Sequence, residues 1–133
     1  MKKAGIWIDH REAFIVFAGD GAQDAQHLAS GMEKHVRYSG HATNEEGSAE
    51  DQRDRQFATH LDHYYDEVIK HVHDATAILL LGPGEAKGEL KKRIEAKWPK
   101  ANIVGVETAD KMTQPQISAK VHDYFFRLSR GLA

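Results

Sequence analysis

Five consecutive apolar residues, Ala77-Ile78-Leu79-Leu80-Leu81, run straight into Gly82-Pro83-Gly84 and then into a lysine-rich segment. A run this short and this uniformly apolar reads as a strand covered on both faces, because a strand with one wet face alternates. The glycines and the proline turn the chain. Leu90, Ile94 and Trp98 then recur at helical spacing until Pro99 ends the stripe. A buried strand, a tight turn and a helix in immediate succession predict an α/β sheet with helices on its faces.

The rest of the chain supplies the other strands and helices. Residues 4–8 and 13–17 are β-branched and aromatic runs joined by the polar Asp9-His10-Arg11-Glu12, which is a hairpin signal. Gly19-Asp20-Gly21 marks a second turn, so a third strand is expected within residues 23–38, with its main part at 32–38. Residues 39–47 read as a polar loop, and Ser48 with Asp51 reads as a helix N-cap pair. From Ala49 to about His73 nothing breaks a helix, and Phe57, Leu61, Tyr64, Val68 and Val72 form its apolar stripe. Residues 102–106 are another strand. Thr113 with Gln116 predicts a capping box, with Pro115 in the first turn and Ile117, Val121, Phe125 and Leu128 along the last helix. The order β-β-β-α-β-α-β-α predicts an α/β fold with a mixed five-stranded sheet, the ribonuclease-H-like arrangement, as one domain over residues 1–133.

Composition narrows the function classes. No apolar run approaches the roughly 20 residues that span a bilayer, and the apolar stretch after Met1-Lys2-Lys3 is cut at once by Asp9, His10, Arg11 and Glu12. No membrane or export segment is expected, and the expected location is the cytoplasm. The absence of cysteine removes disulfides, thiolate metal sites and thiol nucleophiles. A net charge of −2 gives no global attraction to nucleic acid, so any such contact needs a local patch.

Two such patches are legible. The turn Gly82-Pro83-Gly84-Glu85-Ala86-Lys87-Gly88 sits at the carboxyl end of a central strand and opens a helix. Unpaired N–H groups and the positive helix end favour an anion there, with Lys87 adding a full charge. The spacing matches neither a Walker loop nor Gly-x-Gly-x-x-Gly, and a tight turn that simply needs glycine explains it equally. The following helix carries Lys87, Lys91, Lys92, Arg93, Lys97 and Lys100 against Glu85, Glu89 and Glu95. That is a face for RNA or an acidic partner, or a solvated surface with internal pairs. Arg53 and Arg55 add cations on the long helix.

Other constellations are thinner. His60, His63 and Glu67 share one helix face at metal-ligand spacing, opposite the apolar stripe, without a second ligand set; no cofactor is expected. Asp9 ends the first strand, where a ribonuclease-H-like nuclease holds a metal, and Glu107, Asp62 or Asp66 are its candidate companions. Asp9 also suits a hairpin turn. No serine lies in a Gly-x-Ser-x-Gly elbow.

The element order, together with Ile78-Leu79-Leu80-Leu81-Gly82-Pro83-Gly84-Glu85-Ala86-Lys87-Gly88-Glu89-Leu90, resembles the middle domain of archaeal and eukaryotic peptide-chain release factors and Pelota. Small bacterial proteins similar to this domain alone also exist, some described as translational-machinery or host-attachment proteins. Release factors place Gly-Gly-Gln between the third strand and the long helix. The corresponding loop here, Ser39-Gly40-His41-Ala42-Thr43-Asn44-Glu45-Glu46-Gly47, lacks it and is acidic. The resemblance therefore implies a non-catalytic module that binds ribosome, tRNA or a translation protein through Gly82, Gly84, Lys87, Lys91, Lys92, Arg93, Arg53 and Arg55. A metal-dependent nuclease or phosphoesterase is the alternative. A homo-oligomeric scaffold is the other, since Tyr124, Phe125 and Phe126 cannot all face one core.

Overall fold

A computed structural model describes residues 2–18, 25–31 and 47–131, with the backbone alone over 47–56. The elements are β1 (Lys3–Ile8), β2 (Glu12–Ala18), β3 (Ala25–Ala29), α1 (Gly47–Val72), β4 (Ala77–Gly82), α2 (Ala86–Lys97), β5 (Ile103–Thr108) and α3 (Gln114–Ser129). They form one mixed sheet in the order β3-β2-β1-β4-β5. β1–β2 and β2–β3 pair antiparallel; β1–β4 and β4–β5 pair parallel. The predicted fold class and element order are those observed. Among the described residues, no helix is long and apolar enough to cross a membrane.

The pleat divides the core into two halves. Ile6, Ile8, Ile15, Ile78 and Leu80 point to one face, where α1 contributes Tyr65 and Val68 and α2 contributes Leu90 and Ile94. Trp7, Val16, Leu79 and Leu81 point to the other, under Ile117, Val121 and Phe125 of α3. Every residue of β4 is buried, as its unbroken apolar sequence requires. Each fully buried leucine there contributes roughly 1.5–3 kcal/mol of transfer free energy.

Local chemistry fixes the joints. The Asp9 carboxylate accepts the N–H groups of Arg11 and Glu12, both at 2.8 Å, which closes the β1–β2 turn. The capping box of α3 is formed: Thr113 Oγ1 accepts the Gln116 N–H at 3.3 Å, and Gln116 Oε1 accepts the Thr113 N–H at 2.9 Å. α3 lies so close to the sheet that a Cβ on Gly5 would stand 2.3 Å from a Val121 methyl. At the far edge a bulge in β5 skips Val104, whose carbonyl accepts the Tyr124 hydroxyl instead, at 3.1 Å.

Three expectations are corrected. The third strand, Ala25–Ala29, lies within the expected 23–38 but at its start; residues 32–38, expected as its main part, lie outside the described ones, as does the loop at 39–46. An edge strand pairs on one side only, and this one is half exposed, so its sequence need not alternate strongly. α1 starts at Gly47, which places Ser48 inside the helix rather than at its cap. Phe57, expected in the buried stripe, is 37% exposed, because the helix face that packs begins at Leu61.

Candidate functional site

The Gly82–Gly88 segment lies at the carboxyl end of β4, and the two glycines ahead of α2, Gly82 and Gly84, have different jobs. A Cβ on Gly82 would sit 2.2 Å from the carbonyl oxygen of Ile8, so the close approach of β4 to β1 demands glycine. The Gly82 carbonyl also accepts the Ala109 N–H at 2.9 Å, tying the turn to the segment after β5. Gly84 faces open space. Glu85 precedes α2 without any side-chain cap, which leaves the first-turn N–H groups to solvent or a ligand. A shallow hollow of about 370 Å³ opens here, lined by Gly84, Glu85, Lys87, Glu89 and Lys92 among others.

The cations of α2 are mostly engaged within the protein. Lys87 folds back, donating to the Gly84 carbonyl at 2.6 Å. Lys91 pairs with Glu95 at 3.6 Å. Arg93 grips Asp66 in a two-pronged contact, Nε to Oδ1 at 2.7 Å and Nη2 to Oδ2 at 3.0 Å, and reaches Asp62 at 3.3 Å. Lys97 adds a contact to Asp66 at 3.5 Å. The guanidinium beside it holds the Asp66 carboxyl below the usual carboxylate range, and the carboxylate holds Arg93 above its own ordinary value. These pairs pin α2 to α1. Lys92 is exposed and has no ion pair among the described residues. Arg53 and Arg55 lie on the first turns of α1, where only the backbone is described.

Lys92 also borders a second opening, a cleft of about 510 Å³ between α1 and α2. Phe57, Ala58 and Leu61 form its apolar wall, and Asp62 and Arg93 line it as well. Inside, the Tyr65 hydroxyl donates to Glu89 Oε1 at 2.5 Å, and His10 Nε2 meets the same oxygen at 3.0 Å. His10 stands edge-on to Phe57, with ring centroids 6.3 Å apart. Burial first, then the Glu89 carboxylate, pushes the Tyr65 phenol far above its ordinary pKa. Tyr65 is therefore a fixed hydrogen-bond donor rather than a base. Tyr64, raised first by burial and then by Asp9, donates to the Asp9 carbonyl at 3.0 Å.

The remaining sequence candidates are dispersed. The carboxylate of Asp9 is occupied by its own turn, and Glu107 pairs with Lys120 at 3.3 Å. β4 lies between the strands that carry them, a separation of roughly 10 Å by strand spacing alone. Asp62 and Asp66 face Arg93. His60 does not share the solvated face expected of it: it is half-buried, and its Nε2 meets the Ser30 carbonyl after β3. His63 and Glu67 are exposed, with Glu67 paired to Lys70 at 3.1 Å. Among the described residues no group of three or more His, Asp or Glu could hold a metal ion.

His10, Phe57, Tyr65 and Glu89 were not site candidates from the sequence. They come from the β1–β2 turn, α1 and α2, and meet only when the two helices share one face of the sheet.

No family model matches this sequence, and neither does any curated protein. Among solved structures, the chain is similar to the Pelota protein of Thermoplasma acidophilum, with TM-score 0.55 and 18% identity over 96% of this chain and 32% of that one. The archaeal translation termination factor aRF1 gives TM-score 0.44 at 12% identity, covering 98% of this chain and 41% of that one. The Ppx/GppA phosphatase of Aquifex aeolicus gives 0.38 at 16%, covering 83% and 36%. The chain thus spans about a third of the Pelota protein it matches, and what it shares with that protein is the fold.

Proposed function

We propose that this protein is a translation-associated binding module, without catalysis of its own, that contacts ribosome, tRNA or a translation protein in the cytoplasm. The observation that carries this reading is the likeness to Pelota along nearly the whole chain. The lack of Gly-Gly-Gln in the sequence speaks against peptidyl-tRNA hydrolysis and so supports a binding role. The contact surface runs from the Gly84 turn across Lys92 to the mouth of the α1–α2 cleft, since the two openings share Glu89 and Lys92.

Within that surface the cations are unequal. Lys92 is ready to meet a phosphate, whereas Lys87, Lys91 and Arg93 must first leave internal partners. Salt-sensitive co-sedimentation with ribosomes is the expected behaviour, with Lys92→Glu weakening it more than Lys91→Glu. No association at low or moderate salt, or association indifferent to neutralising Lys87, Lys91 and Lys92 together, overturns the proposal.

A further inference from the structure

The opposite side of the molecule carries an apolar side chain that its own core does not use. Phe126 is 59% exposed, the most of any large hydrophobic residue among those described. Its neighbour Phe125 is buried, and Tyr124 is held over Gly105 and bonded to Val104. The three consecutive aromatics thus divide, and Phe126 is the one turned outward. The Arg130 guanidinium stands over its ring, 5.5 Å from the centroid.

Beside Phe126 is a hollow of about 470 Å³ between α3 and the sheet margin. Ala18, Phe125 and Phe126 are its apolar lining, while Lys3, His122 and Asp123 stand around it. The exposed side of α3 is also ordered in charge. Ala119 and Asp123 come first, Phe126 follows, and Arg127 and Arg130 come last. Asp123 and Arg127 pair within the helix at 3.2 Å, but both are more than half exposed, so neither is committed to that geometry.

A surface with an anion at one end, an aromatic in the middle and cations at the other is complementary to itself when turned around. We propose that this face of α3 docks a second copy of the chain, with the two helices crossing antiparallel about a twofold axis. Phe126 of each copy enters the hollow of the other, and Asp123 of each faces Arg127 of the other. This surface lies on the other side of the sheet from the α1–α2 cleft, so dimerisation leaves that cleft open.

Sedimentation equilibrium on the whole chain tests this. Wild type is expected as a dimer at about 100 µM in low salt, and Phe126→Ser as a monomer with unchanged circular dichroism. Asp123→Lys and Arg127→Glu each place like charges together at both contacts, so each alone is monomeric. Mixed in equal amounts, they regain a dimer, because both cross-contacts become attractive. That recovery is beyond the reach of a purely intrahelical Asp123–Arg127 pair. A monomeric wild type, an assembly indifferent to Phe126→Ser, or a mixture that stays monomeric overturns the proposal.

Discussion

On one face of the sheet α3 rests almost on the backbone, with Val121 over Gly5 of β1 and Tyr124 over Gly105 of β5. On the other, α1 and α2 are held to each other by polar contacts, Arg93 to Asp62 and Asp66, and Tyr65 and His10 to Glu89. Both faces are closed by apolar packing, but the first adds close approach to the backbone and the second adds charge and hydrogen bonds between its two helices. Shape leaves no room at the sheet, so anything presented for contact stands on the outer side of α3. Polar clamping leaves a cleft between the helices, rimmed by groups that can exchange partners.

The sharpest break of this comparison lies at the glycines. Gly82→Ala drives a Cβ into the Ile8 carbonyl, a backbone atom that cannot rotate away. A loss of about 3 kcal/mol or more in urea denaturation is expected. Gly5→Ala meets only the Val121 side chain, at 2.3 Å and 2.6 Å from its two methyls. It should cost on the order of 2–3 kcal/mol, and in a Val121→Ala background much less than that. Additive losses at Gly5 and Val121 would show that side-chain shape does not close this face.

The polar clamp between α1 and α2 should respond to pH. Replacing Arg93 with Met removes the two-pronged contact to Asp66 and the link to Asp62, an expected loss of about 1 kcal/mol at neutral pH, since the pair is only partly shielded. Asp66 has a native pKa below its ordinary value, with the Arg93 hydrogen bond the largest cause. Its contribution is therefore complete above the unfolded value of about 4, and it is lost as pH falls through the lower native one. The stability gap between wild type and Arg93→Met should be widest at neutral pH and narrow below about pH 4. A gap that does not change with pH would assign the loss to packing of the arginine stem.

These contrasts also separate what the sequence disclosed from what it withheld. The burial of β4 was legible in Leu79, Leu80 and Leu81, because an unbroken apolar run reports two covered faces without knowledge of what covers them. The α3 cap was legible because Thr113 and Gln116 are three residues apart. β3 falls within the expected 23–38, but its bounds were not legible, because an edge strand such as Ala25-Gln26-His27-Leu28-Ala29 needs little apolar patterning. The α2 cations were legible as residues and not as partners. Arg93 and Asp66 lie 27 positions apart, and His10 and Glu89 lie 79 apart, so their pairing depends on how two helices lie across one sheet. A basic face on paper thus became mostly a set of internal contacts, with Lys92 left over on α2 and Lys100 past its end.

The smallest expected effect on stability comes from the second glycine of the turn. Gly84 has no positive φ, and a Cβ there would meet nothing within 4 Å. Gly84→Ala should leave stability within about 0.5 kcal/mol of wild type, or raise it slightly by restricting the unfolded chain. Gly82 is required by the fold and Gly84 is not, so a need for glycine at position 84 would have to come from something that approaches the turn. If a ribosomal partner does so, Gly84→Ala weakens co-sedimentation while the urea midpoint stays where it was. Unchanged co-sedimentation would move the contact away from the turn, toward Lys92 and the α1–α2 cleft.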